Sequence, residues 1–210
     1  MEYGRHKMKK GIRLLFLSAA FLFLTACHNT DFMNLSSFIR NYNEVSPQEQ
    51  VIDFGSFSVE EQGDGEILSF FPYESYHVAV RLIADSQKRI GEARIILRKS
   101  DKNGSAVSVS ESDYINFKTA AKYTCYALSN GELEEIPKEI VPDSLSDING
   151  VSEKTGESGS FYFIYRSNRL ASEIVIKNKW LSPVETTKKP ENKKPFAEMT
   201  ETRSNTVPHK

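Results

Sequence analysis

From Asp31 onward the apolar positions fall first at helical spacing and then at alternate spacing. Phe32, Leu35, Phe38, Ile39 and Tyr42 recur every three or four residues. That stripe predicts a helix over about residues 32–43, with Asp31 as its N-cap and Pro47 beyond its end. Between residues 52 and 110 the period shortens to two. The stretches 54–60 and 66–71 flank a Gly63, Asp64, Gly65 turn and read as a hairpin. Residues 77–84 (HVAVRLIA) and 90–99 (IGEARIILRK) flank a polar turn and read as another. With Val107 and Val109, four or five antiparallel strands are expected.

Helical spacing returns over residues 113–129. Tyr114, Phe117, Ala121, Thr124, Cys125 and Leu128 form one stripe, Ser110 and Asp113 can make a capping box, and Gly131 can end the helix. A poorly periodic stretch broken by prolines and glycines follows. Residues 161–166 (FYFIYR) and 170–177 (LASEIVIK) then predict a last hairpin. FYFIYR has bulky apolar groups on both sides, as a central strand covered on both faces would. A helix, an irregular connection and a hairpin thus occur twice, about 80 residues apart. The expected fold is α+β: an antiparallel sheet with about two helices packed on one face, in two layers; the recurrence is either a duplicated helix–hairpin unit or the chance likeness of one hairpin to another. Beyond residue 182, Pro, Lys, Thr and Glu dominate, and so few apolar residues predict a disordered tail over 182–210.

Ahead of all this lies a different pattern. Arg5, Lys7, Lys9, Lys10 and Arg13 precede an unbroken apolar-rich run, LLFLSAAFLFL, at residues 14–24. This is the plan of a secretory signal peptide, and the run is far short of the roughly 20 residues that span a bilayer as a helix. It ends in Leu24, Thr25, Ala26 and Cys27. Those four residues, placed after such a signal, resemble the lipobox of bacterial lipoproteins. The resemblance implies a diacylglyceryl group on the Cys27 thiol, cleavage between Ala26 and Cys27, and a mature protein on the outer side of a membrane. The implied divisions are a signal peptide over 1–26, a short tether over 27–30, and a globular domain over 31–181. A tether of about four residues reaches at most about 14 Å, so the domain is expected close to the lipid headgroups.

Charge and chemistry narrow the function. The chain has 27 basic and 28 acidic residues, but five of the cations lie in the signal and six in the tail, which leaves an acidic middle. An acidic domain disfavours nucleic acid as the partner, since phosphate neutralisation needs clustered Lys and Arg. With Cys27 acylated, Cys125 has no partner within the chain, and its place on the apolar stripe predicts a buried, unreactive thiol. His77 is the one histidine outside the signal, the anchor region and the tail, and alternation places it on the solvent side of its strand. Gly156 and Ser158 are followed by Ser160 where a nucleophile elbow needs glycine. No zinc set can be assembled, and the run Asp101, Asn103, Gly104 lacks the spacing of a calcium loop. No catalytic residue, metal or cofactor is therefore assigned.

One face invites binding. With Val78, Val80, Leu82 and Ala84 inward on one strand and Ala93, Ile95 and Leu97 on the next, His77, Arg81, Arg94 and Arg98 face outward. Such a candidate binding face would suit an anionic polymer, a headgroup or an acidic protein surface. The expectation is a lipid-anchored, extracytoplasmic, non-enzymatic binding or scaffolding module of the cell envelope, held at the cell membrane, or at the outer membrane of a cell that has one. The competing expectation is an envelope hydrolase with an unrecognised site.

Overall fold

The computed structural model describes residues 32–101 and 104–181. The readings that fall on Asp31, the signal, Cys27, the tether and the tail lie outside the described residues. The described chain runs α1 (Leu35–Val45), β1 (Ser58–Gln62), β2 (Gly65–Phe70), β3 (Val78–Ala84), β4 (Ile90–Arg98), α2 (Glu111–Leu128), α3 (Leu145–Asn149), β5 (Ser152–Ser158), β6 (Phe161–Ser167) and β7 (Ala171–Asn178). The strands form one antiparallel sheet in the order β1-β2-β3-β4-β7-β6-β5.

That order is symmetric about the β4–β7 junction. Each half supplies a helix followed by three strands that step inward to the centre, and β1 adds an outer strand to the first half. The repeat is legible in the burial pattern. Ala93, Ile95 and Leu97 stand 79 positions before Ser172, Ile174 and Ile176, and all six are buried. Phe38 and Tyr42 of α1 stand 79 positions before Phe117 and Ala121 of α2, again all buried. At the turns the offset is 80, as between Ile90 and Leu170. A bulge accounts for the slip: Ile83 pairs with Glu92 but Ala84 pairs with Ile90, so Gly91 is the extra residue.

The local rules hold well at the ends of elements. Ser110 and Asp113 make the reciprocal capping box of α2, the Ser110 hydroxyl accepting from the Asp113 amide at 3.0 Å. Beyond its end, Gly131 takes φ +81°, the left-handed conformation that only glycine adopts without cost. Helix α1 starts later than the apolar stripe suggests, because Asn34 is its N-cap and accepts from the Ser37 amide at 2.9 Å. Residues 54–56, expected in a strand, form a 3₁₀ turn closed by the Asp53 and Ser56 side chains. Two elements carry no apolar signal in the sequence: α3, and the edge strand β5, whose side chains alternate between half-buried and exposed.

Both helices supply the cover for one face. Phe38 and Tyr42 reach Phe70 of β2, the Tyr42 and Phe70 rings lying 5.5 Å apart edge to face. Helix α2 packs on α1 and across β3 and β4. Asn41 fastens the helices to each other, its amide nitrogen donating to the Ala127 carbonyl at 3.3 Å and to Asn130 Oδ1 at 3.0 Å. The strand FYFIYR is not covered on both faces. Phe161, Phe163 and Tyr165 are buried, whereas Tyr162 is 44% exposed on the other side. The reason is position: β6 is second from the edge of the sheet, with no second helical layer above it among the described residues.

The helix–sheet interface predicts a sharp contrast within one helix. Phe117 is fully buried and Ile115 is 52% exposed, two residues away. Phe117→Ala should cost about 3–5 kcal/mol in denaturant unfolding and Ile115→Ala no more than about 0.5 kcal/mol. Equal losses would mean that α2 presents a different face to the sheet.

Candidate functional site

Three constellations of polar side chains are built by this fold, and the sequence pointed to parts of two. The first joins β3 to α2. His77 stands just before β3, where its carbonyl accepts from the Arg98 amide at 2.8 Å. Its Nδ1 lies 3.2 Å from Asp113 Oδ2. The same carboxylate oxygen accepts from the Ser110 hydroxyl at 2.6 Å. Burial by itself would raise the Asp113 carboxyl, but the hydrogen bonds from Ser110 and His77 outweigh it and hold the group below the usual carboxylate range. The residues resemble two members of a hydrolytic triad in composition only. The hydroxyl in reach belongs to Ser110 and is bonded to the carboxylate, so it is a helix cap rather than a nucleophile activated by the imidazole.

The second constellation was invisible in the sequence. Lys99 is 2% exposed, and burial depresses its pKa. Its Nζ donates to the Ile148 carbonyl at the end of α3 and to the Ser167 hydroxyl, the latter at 2.9 Å. Ser167 Oγ lies 2.7 Å from both the Ile148 and Gly150 carbonyls and 3.1 Å from Ser172 Oγ. A serine beside a lysine of lowered pKa is the arrangement a Ser–Lys hydrolase uses. Here both groups are enclosed, and the serine hydroxyl is directed at carbonyl acceptors. The cluster ties the α3 segment to the ends of β4, β6 and β7. What the sequence shows of it is a lysine after an alternating strand and a serine at each end of the 167–172 turn, which signals nothing without the third dimension.

The third is the open face of the sheet. Register places Arg81 opposite Arg94 and Arg94 opposite Val175 across β3, β4 and β7. The three arginines do share this face, as expected, but not as a basic stripe. Arg94 Nε lies 2.5 Å from Glu92 Oε1 and its Nη1 lies 3.9 Å from Glu173 Oε1, while Lys177 reaches Glu92 at 2.9 Å. Partial burial lowers the Arg81 and Arg98 pKa values, and Glu60 and Glu173 oppose that at Arg81. Carboxylates thus alternate with the cations. His77, grouped with the arginines by strand alternation, has its imidazole on Asp113 of α2 instead.

Cys125 is 1% exposed, and burial pushes its thiol up to about 12. At neutral pH it is a protonated core residue. Among the described residues no group of three or more His, Cys, Asp and Glu side chains is placed to hold a metal ion. Cys27 and Ala26 lie outside the described residues.

Two outcomes follow from these environments. Asp113 has a lower pKa folded than unfolded, so its contribution to stability is complete above about pH 4 and vanishes as pH falls through its folded value. Asp113→Asn should therefore be less stable by roughly 1 kcal/mol at pH 7, with the gap closing as pH falls through the lowered folded value; a gap independent of pH would contradict the assignment. Lys99→Ala strips a donor from buried carbonyl and hydroxyl groups and should cost about 1–3 kcal/mol in thermal or denaturant unfolding. An unchanged midpoint would show that Lys99 is not a structural tie.

No protein-family model, curated protein or solved structure matches the chain, so no function is carried over to it by likeness.

Proposed function

We propose that the protein is a lipid-anchored, extracytoplasmic binding or scaffolding module of the bacterial cell envelope. The observation that carries this reading is the run Leu24, Thr25, Ala26, Cys27 directly after five cations and an apolar stretch. Acylation at Cys27 would fix the chain to a membrane with a strength set by chain count. At about 0.8 kcal/mol per buried CH₂, one acyl chain holds marginally and two hold firmly. Among the described residues no helix is long and apolar enough to cross a membrane. In this reading the anchor supplies the attachment.

Binding rather than catalysis is favoured by the state of the polar groups. The His77 and Ser167 constellations are both engaged in tying elements together. The broad sheet face, by contrast, carries ordered charges of both signs next to half-buried Ile83, Ile96 and Ile164. Such a mixed face suits a protein partner better than a uniformly anionic polymer. One observation speaks for the rival envelope hydrolase, the contact of Lys99 with Ser167, and it ranks second because the serine is enclosed.

Metabolic labelling with palmitate tests the proposal. The wild-type chain should incorporate label and appear at the processed size in the membrane fraction. Cys27→Ala should lose all label and accumulate as the unprocessed form. Unlabelled wild type, or a Cys27→Ala variant with unchanged processing and fractionation, would refute the anchor.

A further inference from the structure

The described chain enters and leaves the fold at the same end of the sheet. Met33 gives its carbonyl to the Ile90 amide at 2.7 Å, at the start of β4. At the other terminus Leu181, just past β7, packs on Gly91, so closely that a Cβ placed there would lie 2.9 Å from the Leu181 Cβ. Both chain ends therefore meet at the first residues of β4.

Three of the five aromatic residues exposed among those described stand here: Phe32, Tyr162 and Trp180, with exposures of 37%, 44% and 72%; the other two are Phe54 and Tyr76. Phe32 and Tyr162 are each close to a cation. The Arg89 guanidinium lies 4.6 Å from the Phe32 ring centroid, and Lys179 Nζ lies 4.8 Å from that of Tyr162. Lys88, in the same turn as Arg89, has a side chain 67% exposed. These cations are paired with carboxylates: Lys88 with Glu66, Arg89 with Asp85 and Lys179 with Glu157. The surface is consequently amphipathic, carries no excess of cations, and has the aromatic and Lys/Arg pairing that settles at the level of lipid headgroups.

We infer that this end of the domain, with Trp180 at its tip, lies in the headgroup layer of a phospholipid bilayer. The inference rests on the proposed anchor at Cys27. Four residues separate Cys27 from Phe32, a span of at most about 18 Å. The eight residues of β7 extend about 27 Å, so the opposite end of the sheet is held beyond the reach of the tether. A domain moored at Phe32 thus presents its aromatic end to the bilayer and its far end, with His77 and Ile115, to the solvent. With these cations paired to carboxylates, the surface has no need of anionic lipid, and zwitterionic lipid suffices.

Trp180 is the one tryptophan of the chain, so its fluorescence reports on this surface alone. The lipidated full-length protein is floated on phosphatidylcholine vesicles, with and without brominated acyl chains. Trp180 emission should shift to the blue and fall by about half or more on the brominated vesicles, as expected for a ring buried at the interface. In the double variant Trp180→Phe, Ile115→Trp, the new indole at the far end should float equally well and remain unquenched. Floating protein with unquenched Trp180, or with both indoles quenched alike, would overturn the orientation while leaving the anchor intact. Protein that does not float would overturn the anchor and the orientation with it.

Discussion

The pairing of β4 with β7 is the interaction on which the rest of the molecule depends. Seven residue pairs, from Glu92 with Lys177 to Arg98 with Ala171, join the two halves of the sheet. Either half alone would leave its innermost strand, β4 or β7, as an unpaired edge. Joined, they present Ala93, Ile95, Leu97, Ile174 and Ile176 side by side in one buried core. Hydrophobic burial of about 25 cal/mol per Å² rewards that union, since the central strands lose apolar surface on both flanks and beneath the helices.

The same pairing sets where everything else goes. Because β4 and β7 are antiparallel, the start of β4 and the end of β7 lie at one end of the sheet, and Met33 and Leu181 both pack there. The start of β7 and the end of β4 lie at the other, where Lys99, Ser167 and Ser172 meet under α3. Two different surfaces therefore arise from one topological fact: an end where the described chain enters and leaves the fold, and a capped end where polar groups are enclosed. Between them the open sheet face is a lattice of compensated charges, with Arg94 between Glu92 and Glu173.

Legibility in the sequence followed the strength of the local signal. Helix α2 was readable because its stripe, its Ser110–Asp113 box and Gly131 agree with each other. Hairpins β3–β4 and β6–β7 were readable because apolar inward positions alternate along most of each strand, the break in β4 falling at the Gly91 bulge. The approximate 80-residue repeat was visible, but its one-residue slip was not, since a bulge at Gly91 is a property of pairing rather than of sequence. Strand β5 escaped because an edge strand of Ser, Glu, Lys, Thr and Gly has no apolar period to detect, and it is defined by its neighbour β6. Arg81, Arg94 and Arg98 were placed on the right face, yet the carboxylates around them were not foreseen: Arg94 lies between Glu92 of its own strand and Glu173 of β7, and Glu60 and Glu173 act on Arg81. His77 was misgrouped because strand alternation fails one residue outside the strand, where α2 offers Asp113. The pair Lys99–Ser167 spans 68 residues and has no local signature at all.

Native-state hydrogen exchange tests the central role of the β4–β7 junction most directly. If the junction makes the two halves one cooperative unit, the amides of β4 and β7 exchange slowest of all and with the same free energy, equal to that of global unfolding, and the outer strands β1 and β5 open earlier. Exchange of β2–β4 and β5–β7 at two clearly different free energies would show two halves that unfold separately, and the account of a single sheet closed at its centre would be wrong.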